Sequence, residues 1–490
     1  MATGGSTAFR FDNTFVRDLP GLCEPWKAAV FPAAHLTVLN ESLARELGVD
    51  PDALRAGSVV ESLVGHPAPA GAEPVAQVYS GHQFGNFNPR LGDGRALLLG
   101  EIIDIEGRRR DLHLKGSGRT PFARGGDGKA ALGPMLREYV IGEAMHGLGI
   151  PTTRALAVIA TGESVQRETP LPGAVLARVA ASHVRVGTFE YAARSGDVDL
   201  LRRLADYVIQ RHYPDALDAD NAYLALYAGA VDRQAALVAR WMLVGFVHGV
   251  MNTDNMTLSG ESIDFGPCAF MDGFNPETVF SSIDHGGRYA YGNQPAVAQW
   301  NLARLGETLL PLIGESPEDA AEAATDVLRS FRDRYDTHHR AGLRRRLGLD
   351  AATGVRLVEA DALGAELLTV FESQHLDLNG TFRSLAGSLR DGVCPVLPAP
   401  WLERWHNCVL ADGRDVQRVS ACLDAVNPLY VPRNHEVDAA LTAAVAGDLA
   451  PFSLLVEAVS RPYEERPGLE RFAQPASPEF TSSFRTYCGT

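Results

Sequence analysis

Two aspartates stand ten residues apart in the segments His248-Gly249-Val250-Met251-Asn252-Thr253-Asp254-Asn255 and Ile263-Asp264-Phe265-Gly266, with a turn expected around Ser259-Gly260 between them. A turn of that length would let both carboxylates face one site. A positioned carboxylate takes the proton from an attacking hydroxyl. Magnesium wants oxygen ligands, keeps several waters, and needs only one amide and one or two carboxylates beside nucleotide phosphates. Asn255 and Asp264 are therefore the expected metal ligands, and Asp254 is left to take the proton. The alternative is a capped hairpin with no chemistry.

Cationic residues that would face such a site occur earlier. Lys115 closes an apolar strand, and Glu138 follows on an expected helix. A strand lysine held by a helix glutamate is how kinase-like enzymes aim an ammonium at nucleotide phosphates. Arg178 and Arg185 flank Ser182-His183-Val184, and with Arg95 they would line a positive pocket if they point inward. Three glycine clusters lie close by: Gly92-Asp93-Gly94-Arg95, Gly116-Ser117-Gly118-Arg119 and Gly125-Gly126-Asp127-Gly128-Lys129. Glycine lets backbone N–H groups approach an anion. The Walker pattern fails because Ala130 follows Gly128-Lys129, and the Rossmann pattern fails because Pro121 stands where its last glycine would fall.

The elements that must position these groups follow from periodicity. Ala96 to Ile103 and Asp111 to Lys115 read as a strand hairpin, with Leu112 and Leu114 on one face and His113 and Lys115 on the other. Leu132 to Leu148 reads as a helix, apolar every fourth residue and stopped by Gly149 and Pro151. Ala155–Ala160 and Ala174–Ala180 read as strands, and Leu200–Arg211 and Ala222–Val250 as helices. A loop and hairpin are expected from Asn252 to Phe265. The stretch from Pro67 to Pro74 reads as a flexible loop setting an N-terminal segment apart. Strands come first and helices second, which predicts an α+β, two-lobed architecture: an N-terminal lobe with the nucleotide-binding loops over 1–195, and a helical C-terminal lobe over 196–490.

Composition bounds the function. The chain has 490 residues, 46% of them hydrophobic, and 45 Lys and Arg against 60 Asp and Glu give a net charge of −15. Such a field repels nucleic acid and anionic membrane, so neither is an expected partner. No stretch reads as a membrane span or secretory signal, and the expected location is cytoplasmic. The six cysteines show no zinc-ligand spacing. His338-His339 are neighbours on a helix and do not share a face, and Trp401 and Trp405, four apart, read as core.

At this point the residues resemble the selenoprotein O family of kinase-like proteins. The likeness runs through Phe11-Asp12-Asn13-Thr14-Phe15, Tyr79-Ser80-Gly81-His82-Gln83-Phe84-Gly85, Leu91 to Arg95, Leu114 to Pro121, Gly245 to Asn255, Ile263 to Gly266 and Asn293-Gln294-Pro295. It implies a protein-kinase-like fold that binds ATP in a flipped orientation and, with Mg²⁺ or Mn²⁺, transfers AMP to Ser, Thr or Tyr hydroxyls of proteins. The family's nucleotide contacts fall on Gly92, Gly94, Arg95, Lys115, Asp127, Gly128, Arg178, Arg185 and Asp264. Glu138 matches the lysine's partner, Asp254 the catalytic base, and Asn255 and Asp264 the metal ligands. The family also carries a Cys or selenocysteine near its C-terminus, matched by Cys488. In some bacterial members that residue pairs with a cysteine after the Asp-Phe-Gly-like segment. Met271 to Pro295 holds none, which leaves Cys268 as the candidate partner. The competing readings are γ-phosphoryl transfer and an inactive ATP-binding scaffold.

Overall fold

The computed structural model describes residues 9–392, 394 and 396–487. Its first part is built on β1 (Cys23–Pro25), β2 (His35–Leu39), β3 (Val75–Gln77), β4 (Gly81–Gln83), β5 (Asn86–Asn88), β6 (Ala96–Ile103), β7 (Arg109–Lys115), β8 (Ala130–Ala131), β9 (Arg154–Gln166) and β10 (Pro170–Ala180). One eight-stranded sheet takes the order β1-β3-β6-β7-β10-β9-β2, with β8 on β10, while β4 and β5 form a separate hairpin. The expected β6–β7 hairpin is present, with Ala96 opposite Lys115. Because side chains alternate across a strand, Leu112 and Leu114 enter a core shared with Leu43, Leu47 and Leu63. His113 and Lys115 are thereby turned to the opposite face.

That opposite face is covered by the helix Leu132–Gly147, whose Leu136, Val140 and Ala144 pack with Val158 and Leu176 of the sheet. Beyond Ala180 the described elements are mainly helical, as expected for an α+β, two-lobed chain. Among the described residues no helix is long and apolar enough to cross a membrane.

Three expectations are corrected. The Pro67–Pro74 stretch is a loop, but it does not set the N-terminal segment apart, because β1 and β2 precede it and supply the two edges of the main sheet. The helix beginning at Ala222 ends at Val244, not Val250. Gly245 adopts the left-handed conformation (φ 74°) that closes a helix C-terminus, and Phe246–Val247 then pairs with Ala269–Phe270. The segment from Asn252 to Phe265 is a loop whose bridges run outward, Thr257 to Arg185 and Ser262 to Thr152, rather than a hairpin. Its turn is closed by a side chain: Thr257 Oγ1 accepts from the Glu261 N–H at 3.0 Å and donates to the Glu261 carbonyl at 2.8 Å.

The C-terminal helices, which carry no legible motif, have a structural task. Asn434–Val445 and Ala450–Ser460 pack behind the Leu132–Gly147 helix, with the Phe452 ring 6.0 Å from that of Tyr139. Trp401 and Trp405 are core residues, stacked at 6.0 Å and donating their indole N–H groups to Leu363 and Leu347 carbonyls. Phe452→Ala should lower the unfolding free energy by about 3 kcal/mol, the cost of a large-to-small change in a packed core. Chemical denaturation measures it, and a loss well under 1 kcal/mol would show that this clamp carries little of the fold.

Candidate active site

A cleft of about 440 Å³ opens between the sheet and the Asp254 and Asp264 segments. Gly92, Gly94, Arg95, Lys115, Asp127, Gly128, Arg178, Arg185, Asp254, Asn255 and Asp264 all line it. The lining holds seven basic side chains against four aspartates, in a chain whose net charge is −15. Local cationic character of this kind recognises multiply charged anions. The Gly116-Ser117-Gly118 cluster is not part of the lining. A Cβ on Gly116 would stand 2.6 Å from the Ala174 carbonyl and one on Gly118 2.6 Å from Ala29 Cβ, so both glycines serve close packing.

Lys115 is nearly fully buried, and its Nζ is shared between the carboxylates of Glu138 and Asp264. Burying one ammonium is tolerable only with such partners. Arg178 Nη1 stands 3.9 Å from Glu138 and extends the group to two cations and two anions. Asp264 adopts φ 68°, which aims its carboxylate back at Lys115. Burial would raise its pKa, but Lys115 and Arg178 more than offset that and hold it well below the usual carboxylate range. Asp264 is therefore an anion under all ordinary conditions.

Arg178 and Arg185 form the cationic floor. Both are at least nine-tenths buried, at 5% and 4% exposure, and among the described residues Arg178 Nη1 and Arg185 Nη2 make no hydrogen bond, standing 3.9 Å from Glu138 and 4.0 Å from Asp93. Arg185 lies over the Tyr79 ring at 4.3 Å and donates to the Asp254 carbonyl at 3.1 Å. Buried guanidinium N–H groups without partners are costly. An anion entering the cleft would satisfy them.

Asp254 is buried beside this floor. Its Oδ2 accepts from Gln83 Nε2 at 3.0 Å, while among the described residues Oδ1 accepts nothing. Burial pushes its carboxyl up to about 6. Asn255 donates its Nδ2–H to the Val250 carbonyl at 3.0 Å. His248 fastens the two aspartate segments together: its Nε2–H donates to the Ile263 carbonyl at 2.9 Å, while its own N–H donates to Gln294 at 2.9 Å.

Asp127 and Gly128 lie on the rim. Asp127 pairs with Arg167 at 2.8 Å and caps the Lys129 N–H at 2.9 Å. Gly128 has φ 72° and packs so tightly that a Cβ would stand 2.2 Å from Arg119 N.

Sequence reasoning missed Asp93 and His113. Arg178 Nε donates to His113 Nδ1 at 3.3 Å, so the proton sits on Nε2, which donates to Asp93 Oδ2 at 3.0 Å. Burial holds the His113 ring below its ordinary pKa despite the adjacent Asp93. The sequence signal was present, since His113 shares the Lys115 face of β7. Cys268 is fully buried with its thiol pushed up to about 12 by burial, and Cys488 lies outside the described residues. His338 bonds Asp232 at 3.3 Å and His339 stacks on Tyr335, so the two histidines diverge.

A strand lysine clasped by a helix glutamate, under a strand-rich lobe and facing an acidic loop on a helical one, defines a two-lobed α+β protein. The family model described as "Protein adenylyltransferase SelO" matches residues 7–460. A "Protein nucleotidyltransferase YdiU" of Mycolicibacterium smegmatis is 56% identical over 496 residues, covering all of both chains. One of Cereibacter sphaeroides is 57% identical over 492 residues, 98% of this chain and all of the relative. One of Rhodococcus jostii is 55% identical over 491 residues, 98% of this chain and 94% of the relative. The chain belongs to the SelO family of protein nucleotidyltransferases.

His113→Leu should leave Arg178 Nε and the Asp93 carboxylate without a shared partner, at a cost of about 1–3 kcal/mol. Chemical denaturation measures that loss, and an unchanged unfolding free energy would remove His113 from the support of the site.

Proposed function

We propose that the protein transfers AMP from ATP to Ser, Thr or Tyr hydroxyls of other proteins, releasing pyrophosphate. The observation that carries this reading is the buried cationic floor, where among the described residues Arg178 Nη1 and Arg185 Nη2 make no hydrogen bond, beside Lys115. A floor of that charge suits the β and γ phosphates, the most highly charged part of the nucleotide, and not its adenine. With those two phosphates held deep by Lys115, Arg178 and Arg185, the α phosphate is the one presented toward the Asp254 side of the cleft.

The acceptor hydroxyl oxygen then attacks the α phosphorus, and the bond from that phosphorus to the oxygen bridging to the β phosphate breaks. Pyrophosphate leaves with its charge held by the lysine and arginines, and the hydroxyl proton passes to Asp254. Glu138 and Asp264 keep the Lys115 ammonium aimed. The Asn255 amide oxygen and the Asp264 carboxylate are hard oxygen donors that fit a magnesium or manganese ion, which would neutralise phosphate charge. Family membership supports transfer of a nucleotide to protein, and the choice of AMP rests on the placement of charge within the cleft.

Incubation with Mg²⁺ and ATP labelled at either the α or the γ phosphate tests the reading. Label retained on protein from the α position alone is expected. Label from the γ position alone would make the protein an ordinary kinase, and no label from either position with ATP bound would make it a scaffold. Asp254→Ala should reduce AMP transfer by about 10²-fold or more while ATP still binds. Loss of ATP binding and of fold together would contradict the role given to Asp254. Lys115→Ala should weaken both nucleotide binding and transfer, and an unchanged rate would remove Lys115 from the mechanism.

A further inference from the structure

The wall of the cleft beyond Asp254 is the β4–β5 hairpin, tied to the aspartate by Gln83. Beside it, rings of the hairpin and of the helix Gln294–Ile313 lie against one another and under guanidinium groups. The His82 ring lies 4.9 Å from that of Phe87 and 5.2 Å from that of Trp300. Arg194 stands over Phe87 at 5.4 Å, and Arg288 and Arg304 stand over Trp300 at 4.9 and 5.0 Å. Arg304 has a partner in Glu307 at 2.7 Å. Among the described residues Arg194 and Arg288 pair with no carboxylate, and Arg288 Nε is buried without a hydrogen-bond partner. Phe87 is exposed, and so is Ile283, which lines the cleft.

Local forces explain why the strip is rigid. The His82 imidazole is bonded to the buried Glu190, which also takes the Thr253 hydroxyl, so hairpin and Asp254 loop are joined through one carboxylate. The His82 N–H donates to Thr253 Oγ1 at 2.7 Å. An arginine stacked flat on a ring loses little freedom when it binds and keeps its N–H edge available for bidentate pairing with a carboxylate. Tryptophan, tyrosine and arginine are also the residue types that dominate binding energy at protein interfaces.

We infer that this strip docks the protein substrate, and that it selects segments in which Asp or Glu flank the acceptor hydroxyl. The inference rests on the proposed AMP transfer and deepens it by naming the substrate class. Charge complementarity carries it: in a chain of net charge −15, unpaired arginines beside the catalytic loop mark where an acidic segment is attracted while the remaining surface repels it. The hairpin joins strip and Asp254, so a segment lying on the strip is carried toward the cleft mouth.

The test uses the full chain, Mg²⁺, α-labelled ATP and three synthetic peptide sets. Each carries Ser, Thr or Tyr as acceptor, flanked by Asp and Glu, by Asn and Gln, or by Lys and Arg. We expect the acidic set to show a KM about tenfold below that of the neutral set, as for charge-assisted pairing, with similar kcat. Arg194→Gln and Arg288→Gln should erase that difference while the KM for ATP stays unchanged. Equal KM values across the sets, a preference for basic peptides, or an acidic preference that survives both substitutions would overturn the inference. Competition by oligouridylate stronger than by poly-glutamate would overturn it in favour of nucleic acid. Label on the protein itself but on no peptide would also overturn it while leaving AMP transfer standing. No α label on any protein or peptide would mean that the proposed function has failed and this inference with it.

Discussion

A single buried ammonium, Lys115 Nζ held between Glu138 and Asp264, joins the parts of the molecule that must cooperate. Each of its three groups comes from a different element: the end of β7, the helix Leu132–Gly147 and the loop after Ile263. Removing any one would leave uncompensated charge in a buried setting, an expensive state. The arrangement therefore fixes the distance between sheet, helix and acidic loop at once. The surrounding structure serves it. The hydrophobic core under Leu112 and Leu114 sets which face of β7 carries Lys115, and the C-terminal helices clamp the far side of the helix that brings Glu138.

Around this contact the charge is arranged in two layers. Lys115, Arg178, Glu138 and Asp264 balance one another. Arg185, Arg95 and the rim cations then exceed the remaining aspartates, which leaves the cleft positive in an acidic protein. His113 connects the layers by accepting from Arg178 and donating to Asp93. Arg185 does so by bonding the Asp254 backbone and covering Tyr79. In the proposed reaction the same residues would position Asp254 and supply the charge that a leaving pyrophosphate needs.

Much of this was legible in the amino-acid sequence because local rules govern it. The β6–β7 hairpin, the Leu132–Gly147 helix and the shared face of His113 and Lys115 follow from periodicity alone. The spacing of Asp254 and Asp264 allowed both to line one cleft, as they do. The helix after Ala222 was overextended because Val247 and Val250 continue an apolar pattern, whereas Gly245 ends it through backbone conformation. The Asn252–Phe265 segment looked like a hairpin, but its pairing partners, Arg185 and Thr152, lie far away in sequence. Long-range contacts of that kind leave no local trace. The same holds for the clamp by Phe452 and for the packing role of Gly116 and Gly118, which resemble phosphate-loop glycines until their neighbours are known.

The central claim is that the cleft orders the triphosphate with its terminal phosphates on the buried cations and its α phosphate toward the base. A crystal structure of the protein with Mg²⁺ and a non-hydrolysable ATP analogue measures that order directly. The account predicts γ and β phosphates on Lys115, Arg178 and Arg185, with the α phosphate the nearest to Asp254. A γ phosphate at Asp254, with the adenine on the arginine floor, would contradict it.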